Sequence, residues 1–333
     1  MHRSGLYILG AQERAFEQEF AEFCGAAEAV GTGTGTAAIE LCLRDAGIVT
    51  PEQEVVVPVL TSLFSAQAVL AAGASLRFAD VDDQTLLLSA PAYSANTAAI
   101  LPVHLYGNPC NLDELATCGK LLIQDACQAH GARWRGKSLN MWSPYVAYSF
   151  YPTKNLFCLG DGGAIATSSR SARRIRMLRD GGRKNDQLSR VAGINSRLDE
   201  MHACYLRAFL LKLREWNENR RTSAALYDEL LSGCDAIRPV RRHQDSVCHL
   251  YVVRAQRRDE LREHLKSLGI QTGIHYAVPL HKHPAFRRFR RGGEEFPIAE
   301  RACGEILSLP LWPYLPESSV VQVCEAVRSF YHQ

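Results

Sequence analysis

The chain has 333 residues, 47% of them hydrophobic and 22% charged, and a formal net charge of +3. This length favours two domains, and the small positive charge argues against nucleic acid as a partner. No apolar run is long enough to cross a bilayer, and the N-terminus lacks a signal-peptide core, so no membrane partner is expected. The eleven cysteines form no C-x-x-C pair, which is typical of core residues in a reducing cytoplasm and predicts no metal site.

The first part of the chain alternates helices with short apolar strands. A helix is predicted over residues 11–24, where phenylalanines recur at helical spacing and Gly25 supplies a stop. Helices are also expected from Ser62 to Ala72 and from Asn111 onward, between strands that we predict at 55–58, 76–80, 99–103 and 121–125. Such alternation indicates a parallel sheet covered on both faces, whose ligands bind beyond the carboxyl ends of the strands.

A glycine-threonine segment, residues 31–36, lies between a short strand at 29–30 and a helix over about 37–46. Glycines between a strand and a helix start can form an anion site, because backbone N–H groups and the helix dipole both attract a phosphate. The segment lacks the Gly-Lys-Ser/Thr ending of a P-loop. A phosphate site and a flexible surface loop are equally compatible with this pattern taken alone.

Lys154 lies in a loop between two apolar, strand-like runs, 148–151 and 164–166. A lysine that is held away from water has a lowered pKa and becomes a nucleophile toward a carbonyl carbon. For any single lysine, a solvated surface position is the ordinary alternative. Asp125 ends another predicted strand, so both side chains are expected at the same edge of the sheet.

One small cofactor, pyridoxal phosphate (PLP), carries both a phosphate and a carbonyl carbon. Its chemistry also needs a carboxylate at the ring nitrogen, since this charge keeps the pyridine protonated and able to accept electrons. Asp125 is the candidate for that carboxylate. A helix N-cap for the residues that follow it is the alternative role.

The C-terminal part differs in character from the rest. From Leu198 to about Leu231 the apolar pattern predicts one long helix, and the pattern changes near Gly233. Beyond it we predict a strand at 249–254 and helices at 259–268, 298–307 and 318–331. The sequence therefore predicts a large domain, 1–232, that ends in a long linking helix, and a small α+β domain, 233–333.

Two runs resemble the DegT/DnrJ/StrS family of PLP-dependent nucleotide-sugar aminotransferases: Gln124 to Ala132 (QDACQAHGA) and Ser149 to Asn155 (SFYPTKN). Five further blocks follow the order of the family: 34–38, 102–107, 195–200, 275–276 and 308–310. The resemblance implies an α/β fold of PLP fold type I, like aspartate aminotransferase. That fold has a large domain with a mostly parallel seven-stranded sheet and a small C-terminal α+β domain.

The resemblance also implies roles for residues near the cofactor. Lys154 would bind the cofactor covalently and later carry a proton between the amino-bearing carbon and the cofactor. Asp125 would pair with the pyridinium nitrogen, and Gln128 would lie near the phenolic oxygen. Three small residues would cradle the phosphate: Gly35, Thr36 and Ser149.

Other residues are implied to act at a subunit interface or at the substrate. Asn195 would reach the phosphate of the neighbouring subunit's cofactor, which implies a homodimer with its active sites at the interface. His275 and Tyr276 resemble the segment of the family that lies near the sugar. Arg183 and Lys184 are candidates for binding the diphosphate of the nucleotide.

The motifs most resemble members that aminate C3 of dTDP-linked 3-keto-6-deoxy sugars. In the implied ping-pong reaction, L-glutamate donates the amino group to the cofactor, which cycles between PLP and pyridoxamine 5'-phosphate, and a keto sugar nucleotide then accepts it. A C4 aminotransferase is one alternative, and a catalytically silent PLP-binding sensor or scaffold is another. The silent alternative is motivated by departures from the family: among them, the chain starts later than members usually do. Ser62 stands where an aromatic residue would stack on the cofactor ring, with Phe64 two residues on.

Overall fold

The computed structural model describes residues 5–89, 91, 93–184 and 186–331. In these residues the helices are α1 (Ala11–Cys24), α2 (Gly35–Asp45), α3 (Leu63–Ala72), α4 (Leu112–Thr117), α5 (Ser169–Arg179), α6 (Glu200–Leu210), α7 (Leu213–Leu231), α8 (Arg258–Ser267), α9 (Pro297–Glu305) and α10 (Glu317–Tyr331). The strands are β1 (Glu28–Thr32), β2 (Glu54–Pro58), β3 (Ser75–Ala79), β4 (Thr97–Ile100), β5 (Leu121–Leu122), β6 (Gln124–Asp125), β7 (Arg133–Trp134), β8 (Lys137–Ser138), β9 (Tyr145–Ser149), β10 (Gly163–Thr167), β11 (Ile237–Pro239), β12 (Tyr251–Ala255) and β13 (Ile306–Leu309). Within the described ranges, no helix has the length and apolar character needed to cross a membrane.

The large domain contains two strand ladders that meet at residues 121–125. One ladder has the order β3-β2-β4-β5 and is parallel throughout. The other has the order β1-β10-β9-β6, in which β6 and β9 are parallel and the remaining pairs are antiparallel. Ile123 separates β5 from β6, and a parallel bridge between Val103 and Asp125 joins the ladders. The predicted mostly parallel α/β sheet is confirmed, whereas its count of seven strands stays a prediction.

Local sequence signals account for the ends of several helices. Gly25 follows α1 with a φ of 67°, a left-handed conformation that glycine adopts without steric strain. The side chains of Thr34 and Ser62 accept N-cap hydrogen bonds at α2 and α3, and Asn111 does the same at α4. Because Thr34 is the cap, α2 begins at Gly35, earlier than the predicted start at residue 37.

The predicted long linking helix is wrong in one respect, since it is broken between α6 and α7 at residues 211–212. Helix α6 packs on α1 of the large domain, whereas α7 packs on α10 of the small domain. The apolar pattern continues through the break because both helices bury one face. Two packing partners in different directions therefore divide a segment that the sequence presents as continuous.

The small domain is built on the antiparallel sheet β11-β12-β13. Strand β13 corrects the prediction of a helix over 298–307, because that helix ends at Glu305 and the chain then pairs with β12. The core of the small domain already includes Ala224 and Tyr227 of α7. The proposed boundary between residues 232 and 233 therefore lies after the first side chains that pack in this core.

The two domains are fixed to each other by charged contacts. Asp83 of the large domain accepts hydrogen bonds at 2.6 Å from both Arg254 and Arg301 of the small domain. The carboxylate of Asp80 accepts from the backbone N–H groups of Ile298 and Ala299 in the first turn of α9. A carboxylate at a helix N-terminus is favoured by the helix dipole. These contacts hold the small domain over the carboxyl edge of the sheet.

Candidate active site

A cavity of about 530 Å³ lies at the carboxyl ends of β1, β6 and β9. This is the edge at which ligands of parallel sheets bind. The cavity is lined by seven residues that the sequence analysis selected: Gly35, Thr36, Asp125, Gln128, Ser149, Lys154 and Tyr276. The structure therefore brings together residues from distant parts of the chain, including one from the small domain.

Asp125 is buried, with 5% of its surface exposed, and its two carboxylate oxygens have different partners. The hydroxyl of Ser65 donates to Oδ2 at 2.7 Å, and the backbone N–H of Cys127 donates to Oδ1 at 3.1 Å. Thr61 lies 3.2 Å from the same hydroxyl of Ser65, so it can donate to Ser65 in turn. The Cys127 contact is the local turn that the N-cap alternative anticipated, but no helix follows it.

Sequence reasoning missed Ser65 as a partner of Asp125. Ser65 lies in the first turn of α3 and is 60 residues away from Asp125 in the chain. The available signal was a serine near a helix start that follows a buried strand. That signal is indistinguishable from an ordinary capping residue until the strand order is known.

Gln128 forms one wall of the cavity in a fixed orientation. The backbone N–H of Tyr106 donates to its Oε1 at 2.7 Å, which leaves the amide nitrogen free to act as a donor. The Nε2 group donates to the hydroxyl of Tyr276 at 3.3 Å. The hydroxyl of Tyr106 donates to the carbonyl of His275 at 2.5 Å, so the two domains meet at this wall.

Lys154 is half-buried beside the cavity, and its amine forms no ion pair with any described residue. Burial lowers the pKa of Lys154, while Cys127 and Asp125 act in the opposite direction. The lowered pKa makes the neutral, nucleophilic amine more accessible. Sequence reasoning anticipated this direction from a lysine held away from water.

The residue after Lys154 holds the loop in place. The side-chain amide of Asn155 donates to Asn217 Oδ1 at 2.9 Å and to the carbonyl of Val247 at 3.1 Å. Its Oδ1 lies 2.9 Å from Nδ1 of His249. Since Asn155 is 1% exposed, these bonds form away from water. They fix the direction in which Lys154 leaves the backbone.

The N-terminus of α2 forms an anion cradle beside Ser149. Thr34 Oγ1 accepts from the N–H of Ala37, while Gly35 and Thr36 present first-turn N–H groups that have no partner within a helix. A Cβ on Gly35 would lie 2.7 Å from both Cys127 Sγ and Ser149 Cβ. Only glycine fits against these two side chains, and this close packing places the first-turn N–H groups of α2 beside Ser149, an arrangement that suits a phosphate.

Four of the selected residues lie outside the cavity in a single chain. His275 Nδ1 lies 2.9 Å from the Ser308 hydroxyl, and burial lowers the pKa of His275. Arg183 donates to the carboxylate of Asp180 at 2.7 Å, and Lys184 lines a separate cavity of about 1040 Å³ beside α5. Asn195 is exposed and pairs with Asp180 in an antiparallel bridge.

The position of the expected stacking aromatic is occupied by the N-cap of α3. Ser62 accepts from the backbone N–H of Phe64 at 3.4 Å. The ring of Phe64 lines the cavity and is 56% exposed. An aromatic side chain is therefore present at the cavity wall, although it comes from a different residue.

Comparisons with known proteins point to one family over nearly the whole chain. The profile of the DegT/DnrJ/EryC1/StrS aminotransferase family matches residues 1–328. A dTDP-3-amino-3,4,6-trideoxy-alpha-D-glucose transaminase from Streptomyces venezuelae is 43% identical over 98% of this chain and 89% of its own length. The erythromycin biosynthesis sensory transduction protein EryC1 from Saccharopolyspora erythraea is 41% identical over 98% of this chain and 92% of its own length.

A solved structure is similar to this chain over the whole length of this chain. The crystal structure of S. venezuelae DesV, in complex with a ketimine intermediate, has a TM-score of 0.95 and 40% identity to this chain. The match covers 100% of this chain and 92% of the other.

Proposed function

This chain belongs to the DegT/DnrJ/EryC1/StrS aminotransferase family, and we propose that it transfers the amino group of L-glutamate to C3 of a dTDP-linked 3-keto-6-deoxyhexose. The predictions of this family, of PLP fold type I and of a PLP-dependent aminotransferase are confirmed. The substrate follows from the likeness to the S. venezuelae transaminase, whose name specifies a 3-amino sugar linked to dTDP. The reaction releases 2-oxoglutarate from the donor before the sugar binds.

One observation carries the proposal: Lys154, Asp125 and the N-terminus of α2 line a single cavity. When bound, PLP supplies a reactive carbon and a ring that accepts electrons. The residues present fit it, because the cavity offers an amine, a buried carboxylate and, at the N-terminus of α2, first-turn N–H groups that can bind an anion.

Each of these residues would act on a particular atom of the cofactor or the substrate. The amine of Lys154 would hold the cofactor covalently until the amino group of the donor displaces it, and the freed amine would then carry the proton between the amino-bearing carbon and the cofactor. The carboxylate of Asp125, which accepts a hydrogen bond from Ser65, would keep a proton on the pyridine nitrogen. Gln128 Nε2 would donate toward the phenolic oxygen, while the N-terminus of α2 and the hydroxyl of Ser149 would bind the phosphate.

We propose that the enzyme works as a homodimer. The exposed side chain of Asn195 forms no hydrogen bond with any described residue, which leaves it available to reach the phosphate bound by a second subunit. Arg183 and Lys184 would approach the diphosphate of the nucleotide from the same neighbouring subunit. His275 and Tyr276 would contact the sugar from the small domain of the subunit that binds it. The eleven free thiols support a location in the reducing cytoplasm.

The test separates this function from its alternatives. PLP-loaded protein should lose its visible absorbance on addition of L-glutamate and regain it on addition of a 3-keto sugar nucleotide. A panel of 3-keto and 4-keto sugar nucleotides, with NMR of the product, identifies the aminated carbon. Recovery only with a 4-keto sugar would support the C4 alternative. If glutamate and the panel leave the absorbance unchanged, the sensor alternative is supported instead.

A further inference from the structure

The glycine-threonine loop is held by a residue that the proposed chemistry does not use. The backbone N–H of Gly33 donates to the hydroxyl of Ser196 at 2.9 Å. Ser196 is buried and is 163 residues away in the chain. Gly33 immediately precedes Thr34, the N-cap of α2. The hydroxyl of Ser196 therefore fixes the point from which the phosphate cradle begins.

Ser196 is also the neighbour of Asn195 in a segment clamped to the end of α5. The backbone N–H of Ser196 donates to the carbonyl of Arg179 at 2.8 Å. The guanidinium of Arg197 donates to Asp180 Oδ1 at 2.6 Å, and Asp180 forms the bridge with Asn195. A displacement of Ser196 would therefore be passed directly to Asn195.

A buried charge cluster supports the loop and this segment together. The guanidinium of Arg179 donates to the carbonyl of Gly31 at 2.5 Å, to Glu13 at 2.6 Å and to Glu17 at 2.8 Å. The N–H of Gly31 donates to Glu17 Oε1 at 2.8 Å. The backbone carbonyl of Arg179 also accepts a hydrogen bond from the N–H of Ser196. Loop 31–36 and segment 195–197 are thus anchored by the same buried cluster.

We propose that Ser196 is a positioning residue that couples the two cofactor sites of the dimer. The inference rests on the proposed function, in which Asn195 of one subunit reaches the cofactor phosphate of the other. Phosphate bound in the cradle of one subunit orders loop 31–36 of that subunit. Through Ser196 this also orders Asn195, which completes the site of the neighbouring subunit. Binding of the first cofactor thus already includes part of the unfavourable free energy of ordering the second site, so the second cofactor binds more tightly.

The test is an absorbance titration of the cofactor-free dimer with PLP. We expect the unaltered protein to bind with a Hill coefficient above one. Ser196→Ala should bind PLP about three- to tenfold more weakly, as expected for a lost buried hydrogen bond, with a Hill coefficient of one. Ser196→Thr keeps the hydroxyl and should restore the coupling. Ser189→Ala, on the exposed part of the preceding loop, serves as the matched control and should bind as the unaltered protein does.

Two outcomes overturn the inference: non-cooperative binding by the unaltered dimer, and unchanged cooperativity in Ser196→Ala. If Ser196→Ala only weakens binding, Ser196 has a structural role alone. Asn195→Ala distinguishes a failure of the proposed dimer site from a failure of the coupling. If Asn195→Ala weakens PLP binding while Ser196→Ala leaves the Hill coefficient unchanged, the dimer site stands and the coupling is wrong. If Asn195→Ala has no effect, the contact across the interface is wrong.

Hydrogen exchange of the cofactor-free dimer gives a second, binding-independent measurement. Ser196→Ala should speed amide exchange in peptides that cover both 31–36 and 195–200, because the two segments lose their shared anchor. Faster exchange in neither segment would contradict the positioning role. Exchange in α10, which lies in the small domain, should stay the same.

Discussion

Replacing Asp125 with asparagine tests the electrostatic part of the mechanism with little change in shape. The amide oxygen can still accept from the N–H of Cys127, and the amide nitrogen can donate to the hydroxyl of Ser65, which reverses the direction of the present bond. The change therefore keeps both local contacts of the side chain. It removes only the negative charge that would hold a proton on the pyridine nitrogen.

The size of the effect follows from the burial of Asp125. Its side chain is 5% exposed, so the pair with a pyridinium would be largely shielded from water. Breaking a buried ion pair costs about 3–5 kcal/mol, and about 1.4 kcal/mol corresponds to a tenfold change in rate. We therefore expect Asp125→Asn to lower kcat/KM for glutamate by about a hundred- to several thousandfold. Ser65→Ala removes one hydrogen bond to the carboxylate, worth about 1.5–3 kcal/mol, and should cost about ten- to a hundredfold.

The rate is measured by stopped-flow absorbance of the glutamate half-reaction, with PLP content checked beforehand. Asp259→Asn, on the surface of α8 with a side chain 80% exposed, removes the same charge far from the cavity and is the control. If Asp125→Asn reacts as fast as this control, the carboxylate does not act on the pyridine nitrogen. A graded loss, larger in Asp125→Asn than in Ser65→Ala, supports the assignment.

Three further predictions concern other parts of the site. Lys154→Ala should still bind PLP through its phosphate, measured by equilibrium dialysis, but should show no turnover; residual transamination at the original rate would refute its role. Gly35→Val places a Cβ 2.7 Å from Cys127 Sγ and should weaken PLP binding about tenfold or more. The helix signal in circular dichroism should not change. An unchanged affinity for PLP would contradict the assignment of the phosphate site to the N-terminus of α2. Burial raises the pKa of Glu13 from 4.5 to about 7, opposed by Arg179, so the folded protein holds a proton that the unfolded chain has released in that range. The free energy of unfolding should therefore fall by up to about 3 kcal/mol as pH rises from about 4.5 to 7. Urea unfolding at several pH values should show a flatter profile for Glu13→Gln. The same pH dependence in both proteins would refute the role of Glu13.

Signals that lie within a few residues were predicted from the sequence. Gly25 ends α1, Asn111 caps α4 and Lys154 lies in a loop between two strands, as expected. In each case the determinant is local backbone chemistry, such as a left-handed glycine or a side-chain cap. The placement of Asp125 at the cavity needed one further rule, namely that the carboxyl ends of parallel strands meet at one edge.

Features that depend on distant partners were missed or misassigned. The first two residues of β13, Ile306 and Leu307, were expected to continue a helix, since apolar residues suit either structure and only the pairing of β13 with β12 decides. The break at residues 211–212 has no glycine or proline to mark it, because it results from packing on two different domains. No local signal identifies the partners of Ser65 and Ser196, since these partners are 60 and 163 residues away.

The direct test of the central claim is to find where the cofactor attaches. The PLP-loaded protein is reduced with borohydride, which makes the bond between lysine and cofactor permanent, and is then digested and mapped by mass spectrometry. We predict a single modified peptide that contains Lys154, and no modification after prior conversion of the cofactor with L-glutamate. Modification of a different lysine, or of none in a protein that has bound PLP, would contradict the assignment of this cavity as the active site.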